Sequence, residues 1–137
     1  LKFIGAVDQD QVGLLNSILR NFSSKQPGLN LRCHGIEFLS NSVCLGIEKS
    51  DALEQLVSRL NEDFTFLGYA VEERKFIPHI TLARFDKSAE GILKDVTAQY
   101  SDRRWGDFIF DRYQLYRSET LPKGARYTVI SDYPLCG

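Results

Sequence analysis

Hydrophobic side chains recur at helical spacing in two long stretches of the sequence. The first stretch covers residues 9–23, with apolar positions three or four residues apart: Val12, Leu15, Ile18, Leu19 and Phe22. This spacing predicts an amphipathic helix, with Asp8 as its N-cap and Gln11 completing a capping box. The second stretch opens at Ser50 and Asp51 and has the same spacing at Leu53, Leu56, Val57 and Leu60, ending by about Gly68. Two helices with one buried stripe each are therefore expected.

Alternating and β-branched segments predict strands in much of the remaining chain. They cover residues 1–5, 29–39, 42–48, 76–84, 108–118 and 125–133, with a turn at residues 121–124. A short third helix is expected from Ser88, with Ile92, Leu93 and Val96 on one face. The predicted order is β-α-β-β-α-β-α-β-β. Because several strands form hairpin-like pairs, we expect an α+β fold with mainly antiparallel sheets and helices packed outside.

The fourth predicted strand carries the side chains best suited to chemistry. Ile80 and Leu82 alternate with His79 and Thr81, so one face is apolar and suits a core. The other face places an imidazole beside a hydroxyl. The imidazole can move a proton near neutral pH, and the hydroxyl can donate to an oxygen with developing charge. A single His-x-Thr in a strand is otherwise only a polar, half-exposed surface.

Composition and charge limit the classes of protein to consider. With 137 residues, 43% hydrophobic and 26% charged, the sequence is typical of a globular domain with a real core. The formal net charge of −1 predicts no general attraction to nucleic acid. No apolar run is long enough to span a membrane, and no segment resembles a signal peptide. The cysteines Cys33, Cys44 and Cys136 lack metal-type spacing, which indicates free thiols in a reducing cytoplasm.

The string Pro-His-Ile-Thr-Leu-Ala-Arg at residues 78–84 resembles the second signature of the two-histidine phosphoesterases. The specific likeness is to the LigT-like RNA 2′,3′-cyclic phosphodiesterases, also called 2′-5′ RNA ligases. Residues 1–5 resemble the tail of that family's first His-x-Thr signature, and residues 115–118 and 124–127 resemble later landmarks. The resemblance implies one two-lobed LigT-like domain over residues 1–137. We expect this domain to be incomplete at its N-terminus, with the first His-x-Thr just before Leu1.

The resemblance also implies how the site works. His79 would activate water for attack on a 2′,3′-cyclic phosphate, Thr81 would donate to a phosphate oxygen, and Arg84 would bind the phosphate or nucleotide. Strict alternation, however, places Arg84 on the face opposite His79, so it reaches the site only if the strand bends or ends first. The expected partners are RNA ends or related nucleotides, bound by a cytoplasmic monomer. Neither a metal nor another cofactor is implied.

Several alternatives stay open at this point. The protein could be a non-catalytic module that binds RNA or nucleotide ends, or a sister enzyme acting on another cyclic nucleotide. His34 lies outside any His-x-Thr string, and a half-exposed strand histidine is the better interpretation of it than a second catalytic group. Phe76, Tyr113 and Tyr116 are candidates by position for stacking on a base, but core packing is the default for each.

Overall fold

The computed structural model describes residues 1–122 and 124–136, which form three α-helices and six β-strands. The helices are α1 (Gln9–Ser23), α2 (Asp51–Phe66) and α3 (Glu90–Thr97), and short 3₁₀ helices at Lys87–Ala89 and Ala98–Tyr100 flank α3. The strands are β1 (Leu29–Leu39), β2 (Ser42–Ile47), β3 (His79–Arg84), β4 (Arg104–Phe110), β5 (Arg112–Leu121) and β6 (Gly124–Pro134). The predicted α+β class with antiparallel pairing is confirmed.

The chain divides into two compact units. The hairpin unit contains the N-terminal residues, α1, α2 from Gln55 onward, β5 and β6. The sheet unit contains β1 from Asn30, β2, the start of α2, β3, α3 and β4 up to Ile109. None of the helices in the described residues is both long and apolar enough to cross a membrane.

The hairpin unit has a core of aliphatic and aromatic side chains. Both predicted helical stripes are buried in large part, and the antiparallel pair β5–β6 adds Tyr113 and Tyr133, which face each other across the strands. Their rings lie 5.2 Å apart, and the Tyr113 hydroxyl donates a 2.6 Å hydrogen bond to the Leu19 carbonyl of α1. The predicted turn at residues 121–124 includes Lys123, which lies outside the described residues; Leu121 pairs with Gly124 on either side of it.

The sheet unit is built on four strands in the order β3-β2-β1-β4, so β3 lies at one edge. β1 and β2 form an antiparallel hairpin through Ser40, which has a positive φ of 56°, and Asn41. Behind this hairpin the Phe38 and Phe85 rings lie 5.9 Å apart, and the Lys94 ammonium of α3 lies 5.7 Å from the Phe38 ring centre. The exposed edge strand β3 pairs with β2, most of whose residues are buried.

A glycine allows β1 to bend within this sheet. The pairing of β1 with β2 shifts between Cys33 and Ile36, where Gly35 has a φ of +72°. A Cβ added at Gly35 would lie 2.4 Å from the Ser101 carbonyl oxygen. Both the backbone conformation and the close approach therefore require glycine here.

Some of the sequence predictions were wrong in detail. Residues 1–5 form no strand, and the Asp8 side chain makes no capping hydrogen bond, although α1 begins where expected. The strand predicted at residues 108–118 is two strands, β4 and β5, separated by Asp111. β4 joins β1 in the four-stranded sheet, while β5 pairs with β6. The apolar residues of α3 are also more exposed than expected, with Ile92 70% and Val96 58% exposed.

Candidate functional site

β3 carries the candidate site residues on an exposed edge. All six of its residues, from His79 to Arg84, are exposed. The Nδ1 atom of His79 lies 2.7 Å from the Ile77 carbonyl oxygen. Because a carbonyl oxygen can only accept, Nδ1 must carry the proton and donate it. Nε2 of His79 is then the ring atom that can take up or release a proton.

A bulge interrupts β3 in the middle of the motif. Pairing with β2 runs from His79 opposite Gly46 to Thr81 opposite Cys44, and then resumes with Ala83 opposite Val43. Leu82 has no partner and is the extra residue. A bulge of this kind adds one residue to a strand and so reverses the order in which the following side chains alternate.

The bulge places Arg84 on the same face of the sheet as His79 and Thr81. His79 pairs with Gly46, Thr81 with Cys44, and Arg84 with Ser42. These three partners alternate along β2 and therefore lie on one side of the sheet. We call this side the histidine face. The expectation that strict alternation puts Arg84 on the opposite face was wrong, because Leu82 adds a residue between Thr81 and Arg84.

Long polar contacts connect Thr81 and Arg84 to β2 and its turn. The Cys44 thiol lies 3.9 Å from the Thr81 hydroxyl oxygen. Nη1 of Arg84 lies 3.4 Å from the Asn41 side-chain oxygen and 3.5 Å from the Ser42 hydroxyl. These contacts join residues that pair across the strands or lie in the adjoining turn, so they depend directly on the bulged register.

The apolar side of β3 differs from its prediction. Ile80 is 41% exposed and Leu82 is 55% exposed, so they do not form the buried face that their alternation indicated. Leu82 occupies the bulge, and Ile80 lies opposite Leu45 on an edge strand. Alternation predicted the polar face of β3 correctly. It did not predict that the apolar side chains of this strand would be exposed.

Gly46, opposite His79 on the histidine face, has no room for a side chain. A Cβ at this position would lie 2.5 Å from the His34 carbonyl oxygen and 2.8 Å from Oε1 of Glu37. Glu37 pairs with Cys44, so its carboxylate also belongs to the histidine face. The sequence analysis did not identify Glu37, Ser42 or Cys44, because only the register of β1, β2 and β3 brings them beside the motif.

The other candidates lie elsewhere in the structure. His34 is half-buried in the bent part of β1, with β2 between it and β3. Tyr113 is buried in the hairpin-unit core, as the packing interpretation predicted, whereas Tyr116 is 49% exposed and Phe76 is half-buried. Within the described residues, no three His, Cys, Asp or Glu side chains are grouped so that they could hold a metal ion.

Taken together, the histidine face offers a proton-transfer group, a hydroxyl donor and a guanidinium on one short strand. A guanidinium and a hydroxyl can bind the oxygens of a phosphate, and the imidazole can serve as acid or base beside them. The arrangement is typical of a site for phosphate-ester chemistry.

Comparison with known proteins gives the family. The profile of the LigT like phosphoesterase family matches residues 45–127, which include β3, its bulge and part of β2. The chain belongs to this family.

Two curated relatives cover nearly all of the chain. The RNA 2′,3′-cyclic phosphodiesterase of Methanocaldococcus jannaschii is 29% identical over 141 residues, which span 97% of this chain and 77% of the relative. The RNA 2′,3′-cyclic phosphodiesterase of Thermotoga maritima is 26% identical over 140 residues, which span 96% of this chain and 72% of the relative.

Solved structures show the same fold. The crystal structure of E. coli LigT complexed with 3′-AMP has a TM-score of 0.74 at 24% identity, over 99% of this chain and 75% of that one. The crystal structure of TT0787 of Thermus thermophilus has a TM-score of 0.66 at 19% identity, over 97% and 74% of the two chains. At these identities the likeness is one of fold.

Proposed function

We propose that the protein is an RNA 2′,3′-cyclic phosphodiesterase, a hydrolase that opens a terminal cyclic phosphate to leave a 2′-phosphate. Membership of the LigT-like family and the names of the two curated relatives support this activity. The observation that carries the proposal is that His79, Thr81 and Arg84 share the histidine face of one strand.

In the proposed reaction, water attacks the phosphorus atom and the bond from phosphorus to the ribose 3′ oxygen breaks. Nε2 of His79 takes the proton from the attacking water, since Nδ1 already donates to the Ile77 carbonyl. A second acid gives a proton to the leaving 3′ oxygen. The products are a 2′-phosphate and a free 3′ hydroxyl, so the reaction consumes one water and needs no other reactant.

Thr81 and Arg84 bind the phosphate in this proposal. The Thr81 hydroxyl donates to a non-bridging oxygen, where negative charge increases as the ring opens. The Arg84 guanidinium neutralises part of that charge and can donate two parallel hydrogen bonds. The substrate is the end of an RNA strand or a related cyclic nucleotide, because one hydroxyl and one guanidinium can bind one or two phosphates rather than a duplex.

The proposed setting is the cytoplasm, where the protein acts as a monomer. Three free cysteines support a reducing compartment: Cys33 and Cys44 are buried, and Cys136 is exposed. Sedimentation of the purified protein tests the monomeric state.

The decisive experiment is hydrolysis of an RNA oligomer that ends in a 2′,3′-cyclic phosphate, with an oligomer ending in a linear 3′-phosphate as the control. The 137-residue chain and a version extended upstream into its natural sequence are compared, and the 2′-phosphate product is measured. Activity only in the extended version supports two catalytic histidines, with the second one upstream. Equal activity in both makes His34 the leading candidate for the acid.

Absence of turnover in both versions would contradict the proposal. Binding of 2′-phosphate ends without turnover would instead support a module that recognises RNA ends. A panel of other cyclic nucleotides separates an RNA-specific enzyme from a sister phosphodiesterase.

A further inference from the structure

Two buried side chains on β2 lie directly across from the proposed phosphate-binding residues on β3. Cys44 is fully buried and Ser42 is 5% exposed, and both belong to the histidine face of β2. Each lies opposite one member of the motif: Cys44 opposite Thr81, and Ser42 opposite Arg84. Buried polar atoms on a strand normally have a hydrogen-bonding role, so these two positions call for one.

The Cys44 thiol can direct the hydroxyl of Thr81. A thiol is a weak donor, and here its sulfur lies 3.9 Å from the Thr81 hydroxyl oxygen. A threonine hydroxyl has one hydrogen and two lone pairs. When the thiol donates to one of those lone pairs, the hydroxyl hydrogen points away from β2, where a phosphate oxygen can accept it.

Ser42 and the adjoining Asn41 can direct the guanidinium of Arg84 in a similar way. Their oxygen atoms lie 3.5 Å and 3.4 Å from the same nitrogen, Nη1. An arginine side chain has five N–H donors, so restraining Nη1 leaves Nε and Nη2 available for a bidentate phosphate contact. Arg84 is exposed, and a restraint of this kind lowers the entropy lost when it binds.

We infer that β2 is a supporting strand for phosphate binding, with Cys44 as a positioning residue for Thr81 and Ser42 as a positioning residue for Arg84. The inference rests on the proposed function, because it takes Thr81 and Arg84 as the residues that contact the phosphate. It adds two residues that do not touch the substrate themselves.

The test is calorimetric titration of the natural full-length protein with adenosine 2′-monophosphate, a probe that carries the proposed product group. Cys44→Ala and Ser42→Ala should each weaken binding about 2- to 10-fold, the effect of losing one modest hydrogen bond. Matched controls are Cys33→Ala and Ser23→Ala, which remove a second buried thiol and a second buried serine hydroxyl away from the motif. These controls should leave the affinity unchanged even where they lower thermal stability.

Double-mutant cycles separate positioning from general destabilisation. In a Thr81→Ala background, Cys44→Ala should have no further effect, and in an Arg84→Ala background, Ser42→Ala should have none. Cys44→Ser keeps a donor and should restore binding relative to Cys44→Ala, although a buried hydroxyl costs stability. Additive effects in both cycles, or no binding of the probe by the unmodified protein, would overturn the inference.

Hydrolysis of the cyclic-phosphate oligomer is measured on the same proteins. Intact coupling in the binding cycles together with no hydrolysis would contradict the proposed function and leave the supporting role of β2 standing. Normal hydrolysis together with additive effects in both cycles would support the proposed function and contradict the supporting role of β2.

Discussion

At the scale of single residues, a backbone carbonyl two residues earlier orients the His79 ring. Its Nδ1 atom donates to the Ile77 carbonyl two residues earlier, immediately before Pro78. Proline fixes the backbone φ at its own position, so it limits the freedom of the segment that presents this carbonyl. The imidazole is exposed, and its second nitrogen is the one available for proton transfer.

Replacing His79 with Gln should abolish most turnover while the fold is retained. Loss of one general acid or base typically lowers the rate by roughly 10²- to 10⁴-fold. Thermal stability should change little, since His79 is exposed on an edge strand. The measurement is the rate of 2′-phosphate formation by the full-length protein, beside a melting curve. His34→Gln is the matched control, and a larger loss there than at position 79 would contradict the assignment of His79 as the base.

At the scale of elements, the bulge in β3 decides which side chains form the site. Thr81 and Arg84 are three residues apart, a spacing that a regular strand would split between two faces. Leu82 is the extra residue of the bulge, so the side chains of Thr81 and Arg84 both lie on the histidine face. The spacing His-x-Thr-x-x-Arg is therefore compatible with one site only on a bulged strand.

Deleting Leu82 should remove the bulge and leave Arg84 on the histidine face, because Thr81 and Arg84 are then two residues apart on a regular strand. The deletion variant should therefore bind adenosine 2′-monophosphate about as tightly as Leu82→Ala, which keeps the extra residue. Arg84→Ala should bind roughly 10- to 100-fold more weakly, as expected for a lost hydrogen bond to a charged group. Calorimetric titration measures the three affinities. If the deletion variant binds as weakly as Arg84→Ala, an extra residue at position 82 is not what reconciles the spacing of Thr81 and Arg84 with one shared face.

Gly46 gives a second prediction at this scale. A methyl group there would meet the His34 carbonyl at 2.5 Å, and backbone cannot move aside easily. Gly46→Ala should lower the free energy of unfolding by about 1–3 kcal/mol, the usual cost of overpacking. Gly13→Ala in α1 is the opposite control: open space surrounds Gly13, and alanine should stabilise the helix by about 0.5–1 kcal/mol. Urea denaturation measures the change in the free energy of unfolding for both variants. If both substitutions changed it in the same direction, the steric argument would be refuted.

The elements differ in how far the sequence alone could predict them. The bounds of α1 follow from a five-residue apolar stripe, a local signal that needs no tertiary information. The break at Asp111 had no such signal, because β4 and β5 form one nearly continuous run of strand-favouring residues that pair with different partners. The bulge at Leu82 was equally hidden, since register depends on β2 rather than on β3. The face shared by His79 and Thr81 was therefore predictable, and the place of Arg84 on it was not.

At the scale of the whole molecule, the site residues and the buried Tyr113–Tyr133 pair lie in different units. His79, Thr81 and Arg84 belong to the sheet unit, whereas Tyr113 and Tyr133 are in the hairpin unit. The stability of the hairpin unit can thus be changed by substitutions that leave the residues of the sheet unit untouched. Substitutions of Tyr113 and Tyr133 should change the stability of this unit most directly, because these side chains are only 7% and 1% exposed.

Burial should make the hairpin unit sensitive to alkali. Burial raises the pKa of Tyr113 well above the ordinary value of 10.0, and burial also raises the pKa of Tyr133. Above that ordinary value the unfolded chain loses these protons while the folded chain keeps them, so the free energy of unfolding falls as pH rises. Below it, both states are protonated and the contribution is fully present. The contribution of these two tyrosines to stability should therefore be flat through neutral pH and decline above about pH 10.

Tyr113→Phe tests this directly. It removes one titrating group together with the hydrogen bond to the Leu19 carbonyl, so stability near pH 8 should fall by about 1 kcal/mol. Its decline above about pH 10 should be shallower than in the unmodified protein, because one fewer buried phenol resists ionisation. The measurement is urea unfolding followed by circular dichroism across this range, with Tyr127→Phe, at a 64% exposed position, as the control. An unchanged alkaline slope in Tyr113→Phe would show that ionisation of this side chain does not limit the stability of the core.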